Sequence, residues 1–320
     1  MGPDDGSRVA LADRFGPSSQ DRRPTRVVAA RISLRQRLLE LWRSRELLVV
    51  LVRTQLRIKY KGSVLGFMWS MLNPALVLIV YYVVFQIVLK NGIPYFAVFL
   101  FCGLLVWNLF SVAVQEATSI VVSNGGIVKK VAFPREILAL ASVGAAFVFF
   151  MLQSVVLVIF LVGFRYMPDF TYLPVLLLGL LVLLVFTAAL GVFFSAVNVY
   201  LRDTRHLVEV VMLAWFWGVP IVYAYQGIST RLAQHHLAWM NWLLLADPIT
   251  PVVLAFQRCI YAKVTVHSTL PPHALSPMLP PNGIGWYAAI LGALLVASTA
   301  LFLGALVVFG RLEGNFAEEL

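Results

Sequence analysis

Four cations, Arg53, Arg57, Lys59 and Lys61, crowd around Tyr60, at the end of a segment that reads SLRQRLLELWRSRELLVVLVRTQLRIKY from Ser33 to Tyr60. Guanidinium and ammonium groups at this density bind anions. The simplest anion is a lipid headgroup, and each basic residue near an anionic membrane surface contributes about 1 kcal/mol. A working role in addition to anchoring is the alternative. Ser33 and Gln36 form a capping box. Leu34, Leu38, Leu41, Trp42, Leu48, Val49, Val52 and Leu56 then recur at helical spacing, with Arg35, Arg37, Arg43 and Arg45 among the residues of the other face. Residues 33–61 therefore read as a basic amphipathic helix, or two joined ones, lying in a membrane interface.

Other chemistry is excluded by what is missing. The glycines Gly125 and Gly126, followed by Ile127, Val128, Lys129 and Lys130, lack the order of a phosphate-binding P-loop. An ion-coupled carrier needs acids or histidines in mid-span. Here Glu116, Glu136 and Glu209 fall near span ends, Asp169 and Asp247 fall between spans, and no histidine lies within the membrane. The same shortage of acids opposes a membrane-embedded glycan-processing enzyme, which needs carboxylates for a metal or a base. His235 and His236 are adjacent but lack metal-ligand spacing. Cys102 and Cys259 sit in apolar surroundings as packing residues. No catalytic residue, metal or cofactor is expected on this chain.

The elements that position these groups are set by composition. Of 320 residues, 60% are apolar and 12% charged, with a mean hydropathy of +0.86. A soluble domain carries about twice that share of charge. Six apolar stretches are long enough to span a bilayer, at residues 64–89, 95–114, 137–164, 173–197, 207–225 and 286–308. They must be helices, because in hydrocarbon each backbone donor and acceptor has to be satisfied within the segment. The expected fold is an all-α integral membrane protein with a transmembrane domain over 62–311. Residues 1–32 read as a disordered tail, and 312–320 as a second tail. With the N-terminus cytoplasmic, inner segments hold 20 of the 25 Lys and Arg and outer ones five, so both termini face the cytoplasm. Between the fifth and sixth spans, 238–245 and 249–262 are apolar helices too short to cross, broken at Asp247-Pro248. They suggest re-entrant helices.

Three connections on the cytoplasmic side look ordered. Phe133, Pro134, Arg135 and Glu136 open the third span, with proline and an acid suited to a helix start. Residues 127–131 form a short segment after a glycine break. Asp203 can cap the fifth span. Pro74 and Pro220 are expected to kink the first and fifth spans. Aromatic residues gather toward the outer half, including Tyr81, Tyr82, Phe85, Phe99 and Tyr223, while Trp107, Trp215 and Trp217 lie deeper. They are either an interfacial belt or the stacking surface of a sugar path.

Four stretches resemble a known family. They are YKGSVLGFMWSMLNPALVLIVYYVVF at 60–85, SNGGIVKKVAFPREILALASV at 123–143, GVFFSAVNVYLRDTRHLVEVV with GVPIVY at 191–223, and ADPITPVVLAFQRCIY at 246–261. The sequence is similar there to the membrane subunits of type-2 ABC exporters of lipid-linked polysaccharides. The resemblance implies a homodimeric permease in a bacterial plasma membrane, with two copies of a separate ATPase that binds ATP and Mg, and no role for nucleic acid. It implies that 33–61 is a gate helix and that Arg53, Arg57, Lys59, Tyr60 and Lys61 meet a polyprenyl pyrophosphate. It implies that Ile127, Val128, Lys129, Lys130, Phe133, Arg135 and Glu136 couple to the ATPase, and that the aromatic residues guide a glycan. A permease for a drug or other lipid is the alternative within the class. The excess of Arg over Lys suggests a GC-rich genome and, within the family, an actinobacterial galactan exporter.

Overall fold

The structure is a computed structural model that describes residues 34–61, 68–131, 133–237, 239–267 and 275–320. The tail 1–32, the capping residue Ser33, the start of the first expected span and the Tyr60 side chain lie outside the described residues.

The amphipathic segment is two helices, α1 (Leu34–Arg43) and α2 (Arg45–Tyr60), joined at Ser44. After α3 (Trp69–Tyr82) the chain continues into a π-helical turn over Val83–Val88. Next come α4 (Phe96–Ser123), the short α5 (Gly125–Val128), α6 (Glu136–Gly163) and α7 (Leu173–Tyr200). Then follow α8 (Thr204–Gly218), α9 (Tyr225–Gln234), α10 (Met240–Ala246) and α11 (Ile249–Phe256), the last prolonged as a π turn to Tyr261. A two-stranded antiparallel hairpin, β1 (Thr265–His267) with β2 (Leu275–Pro277), precedes α12 (Ile284–Leu312) and α13 (Phe316–Glu319).

Among the described residues four helices are long and apolar enough to cross a membrane: α4, α6, α7 with its leading turn, and α12 with its trailing turn. The pair α10 and α11 makes a fifth if counted as one broken span. Centrally placed α4 is the most enclosed, α12 the least. Helix α4 packs on α6 and α7, and α7 packs on α12.

Two expected spans differ. Helix α8 has 15 residues and ends at Gly218 rather than running to Tyr225. At 1.5 Å per residue it covers about 22 Å, short of a hydrocarbon core. Pro220 ends this helix instead of kinking it. Val219 is forced extended, at φ −92° and ψ 137°, as the residue before a proline tends to be. The following residues Ile221 and Val222 are buried against α4, so close that a Cβ on Gly103 would sit 2.9 Å from Ile221 Cγ2. The first expected span is α3 plus the π turn, with Pro74 inside the helix, where it withholds one intrahelical hydrogen bond. Asp203 stands at the start of α8 but makes no side-chain cap.

The break at Asp247-Pro248 is a bend of 81° between α10 and α11. The Asp247 carboxylate explains how it is held. It accepts from the amides of Ile249 and Thr250, each at 3.2 Å, from the Thr250 hydroxyl at 2.9 Å and from the Trp215 indole at 3.1 Å. One acid thus caps α11 and ties it to α8. All of α11 is buried.

Candidate functional site

A cleft of about 380 Å³ opens between α3, α4 and α8. Tyr81 from α3, Trp107 from α4 and Phe216 with Trp217 from α8 supply its rings. Tyr81 stacks on Phe216 at 5.7 Å between centroids, while Trp107 meets Phe216 edge-on at 5.5 Å. The helix α4 adds a polar stripe, Asn108, Ser111 and Gln115, and α8 adds Glu209. The Ser111 hydroxyl donates to the Trp107 carbonyl at 2.9 Å, which leaves its oxygen able to accept a further hydrogen bond. Among the described residues the amides of Asn108 and Gln115 have no hydrogen-bond partner. Glu209 accepts from Arg205 Nε at 3.1 Å one turn earlier. Ring faces, amides and a carboxylate around one space suit a neutral polyhydroxylated ligand: rings cover its apolar faces and amides bond its hydroxyls.

At the end of the bundle that carries α5, the amphipathic helices meet the span ends. Lys59 pairs with Glu116 of α4 at 2.7 Å and lies 4.8 Å from the Phe149 ring of α6. Arg53, Arg57 and Lys61 are exposed, and among the described residues no carboxylate pairs with them. Arg37 is buried and donates to both Glu136, the first residue of α6, and Glu313, just after α12. Arg135 donates to the Glu313 carbonyl at 2.6 Å and covers the buried Phe316 ring.

At the opposite end, Lys263 lies over the rings of Tyr95 and Tyr166 at 4.6 and 5.6 Å. Arg258 lies 3.9 Å from the Tyr172 ring centre and 3.5 Å from Asp169. Burial pushes the Tyr166 phenol above its ordinary range, so it stays a neutral donor to the Tyr261 carbonyl.

Residues 46–261 match the family described as ABC-2 type transporter, two thirds of the chain. The chain belongs to this family of transporter membrane proteins. Relatives include an O-antigen export system permease protein RfbA of Klebsiella pneumoniae, 27% identical over 278 residues, 86% of this chain and 95% of that protein. The RfbA permease of Myxococcus xanthus is 31% identical over 224 residues, 69% of this chain and 83% of that protein. This permease is thus a multi-pass transporter component of the kind that serves polysaccharide export.

The permease gathers some of the expected site residues and separates others. Tyr81, Trp107 and Trp217 share the cleft. Tyr223 lies beside it, its hydroxyl donating to the Trp217 carbonyl at 3.0 Å. Phe85 packs against Tyr81, and Tyr82 is partly exposed on α3 without lining the cleft. Phe99 is fully buried edge-on to Tyr261, so it is a core residue rather than part of an open path. Trp215 turns to Phe110 and Asp247 on the far side of α8. In the α5 region Ile127, Lys129 and Lys130 are exposed, Phe133 and Arg135 are half-buried, and Val128 and Glu136 are buried. Arg135 and Glu136 face Glu313 and Arg37, not outward. Sequence reasoning missed Asn108, Ser111, Gln115 and Glu209. A signal existed: 108, 111 and 115 share one face of an otherwise apolar helix.

Proposed function

We propose that this chain is the membrane half of an ATP-driven exporter that carries a polyprenyl-pyrophosphate-linked polysaccharide out of the cytoplasm. The observation that carries this is the cleft between α3, α4 and α8, polar and aromatic where the surrounding helices are apolar. A sugar chain needs such a surface, and its hydroxyls need the unpartnered amides of Asn108 and Gln115. Relatives named as O-antigen export permeases support the same cargo class.

In this scheme two copies enclose the path, the chain crosses a bacterial plasma membrane six times if α3 with its π turn and α8 with the buried stretch after Pro220 each make one crossing, and both termini and α5 are cytoplasmic. The ATPase, bound in two copies, supplies the ATP and Mg sites and meets Ile127, Lys129 and Lys130 of the α5 segment. Arg53, Arg57 and Lys61, unpaired among the described residues, receive the pyrophosphate at the inner interface, since a guanidinium fork matches phosphate oxygens. Lys59 is held back from that role by Glu116. Within the cargo class, an Arg-rich, GC-type composition favours a galactan.

Depletion in the native cell tests the scheme. Lipid-linked glycan should accumulate on the cytoplasmic face while its synthesis continues. Normal surface glycan, with a drug or another lipid retained instead, would place the chain elsewhere in its class.

A further inference from the structure

We propose that Arg37 is a positioning residue that fastens the interfacial helix α1 to the α5 end of α6, so that movement at α5 is delivered to the α1–α2 segment. The proposal rests on the reading above that α5 meets the ATPase.

Helix α1 turns most of its apolar residues away from the bundle, as a helix lying in a membrane interface does. Its apolar residues Leu34, Leu38, Leu39 and Trp42 are exposed, and Arg37 is its one buried residue. Toward the bundle α1 offers one apolar residue, Leu41, partly buried against the core, and the Arg37 guanidinium, which reaches Glu136 and Glu313 at once. Its path is prepared by Gly310 of α12: a Cβ there would lie 2.8 Å from Arg37 Nε, so any other residue displaces the side chain. The cluster has a second tie: Arg37 pairs with both carboxylates, Glu136 and Glu313, and Arg135 donates to the Glu313 main-chain carbonyl.

The chain positions complete the connection. Residues 129–135 join α5 directly to Glu136. A shift of α5 pulls the start of α6, Glu136 carries Arg37, and Arg37 carries α1 toward or away from the cations of α2. A buried ion cluster contributes little stability over an apolar substitute, but it fixes one geometry. That is what a transmission contact requires.

The test compares wild type, R37K and R37Q in the full chain with its ATPase. R37K keeps the charge but loses the two-pronged fork. If Arg37 transmits movement, hydrolysis persists in both variants while glycan moved per ATP falls, about tenfold for R37Q and less for R37K, within the usual range of coupling between sites. A purely structural role would lower hydrolysis and melting temperature together, with transport per ATP unchanged, and would overturn the proposal. A spin label on Trp42→Cys reads α1 directly and without nucleotide. Its mobility should rise in R37Q and R37K; unchanged mobility in both would also overturn the proposal. Absence of ATP-dependent export by the wild type would sink the proposed function instead, and the label would still decide the tether.

Discussion

Replacing Gly103 by alanine perturbs the contact that positions one wall of the cleft. Gly103 lies on α4 one turn before Trp107, facing the stretch that follows α8. A new Cβ would sit 2.9 Å from Ile221 Cγ2 and 3.2 Å from Ile221 Cα. The side chain could turn aside, but the main-chain atom could not. Overpacking of this kind costs about 1–3 kcal/mol. Alanine also favours a helix interior over glycine by about 1 kcal/mol, which hides part of the cost. Gly292 of α12 supplies the correction, because a Cβ there meets nothing within 4 Å. The difference between Gly103→Ala and Gly292→Ala isolates the clash. At about 2 °C per kcal/mol for a large chain, Gly103→Ala should melt roughly 2–6 °C below Gly292→Ala. The assay is thermal unfolding of the purified complex in one detergent. Equal melting temperatures would mean that α4 and the chain after Pro220 do not approach as described. Export should fall with Gly103→Ala as well, because a displaced Ile221 moves Trp217 and Phe216.

Three further outcomes follow from the site. Replacing Arg53 and Arg57 together by glutamine should reduce export severalfold while the protein still inserts and melts normally, as measured in membrane vesicles; unchanged export would limit both residues to anchoring. Trp217→Ala should lower export with little effect on melting, because its ring is exposed, whereas Trp107→Ala should destabilise by about 3–5 kcal/mol because that ring is buried. Replacing Ile127 by aspartate and Lys130 by glutamate should release the ATPase during affinity purification and leave the permease folded, since both residues are exposed.

Much of the fold was legible because long apolar runs have one solution in lipid. Helices α6, α7 and α12 begin and end within a few residues of the expected spans, and the bend at Asp247-Pro248 was written in an acid followed by a proline. Helix α4 runs nine residues beyond its expected end, since Gln115 and Glu116 look like a boundary but lie on the helix face toward the cleft and Lys59. Pro220 was harder. A proline alone does not say whether a helix bends or stops, and here the buried carbonyl of Pro220 accepts from Gln257, a partner 37 residues away. The site was only half legible for the same reason. The rings Tyr81, Trp107 and Trp217 stand out by type, but Glu209 joins them only through the packing of α8 on α4. The burial of Arg37 was hidden altogether. Periodicity places it on the polar face, and only two acids from distant helix ends make its burial favourable.

ATP-driven movement of a lipid-linked polysaccharide through this permease can be watched directly. The direct measurement uses sealed vesicles containing the permease and its ATPase, loaded with lipid-linked glycan on the ATPase side. Glycan is then scored by its exposure to a glycosidase confined to the other side. ATP should expose it within minutes, and Trp217→Ala should slow that exposure. Exposure at the same rate without ATP, or none with it, would contradict the claim.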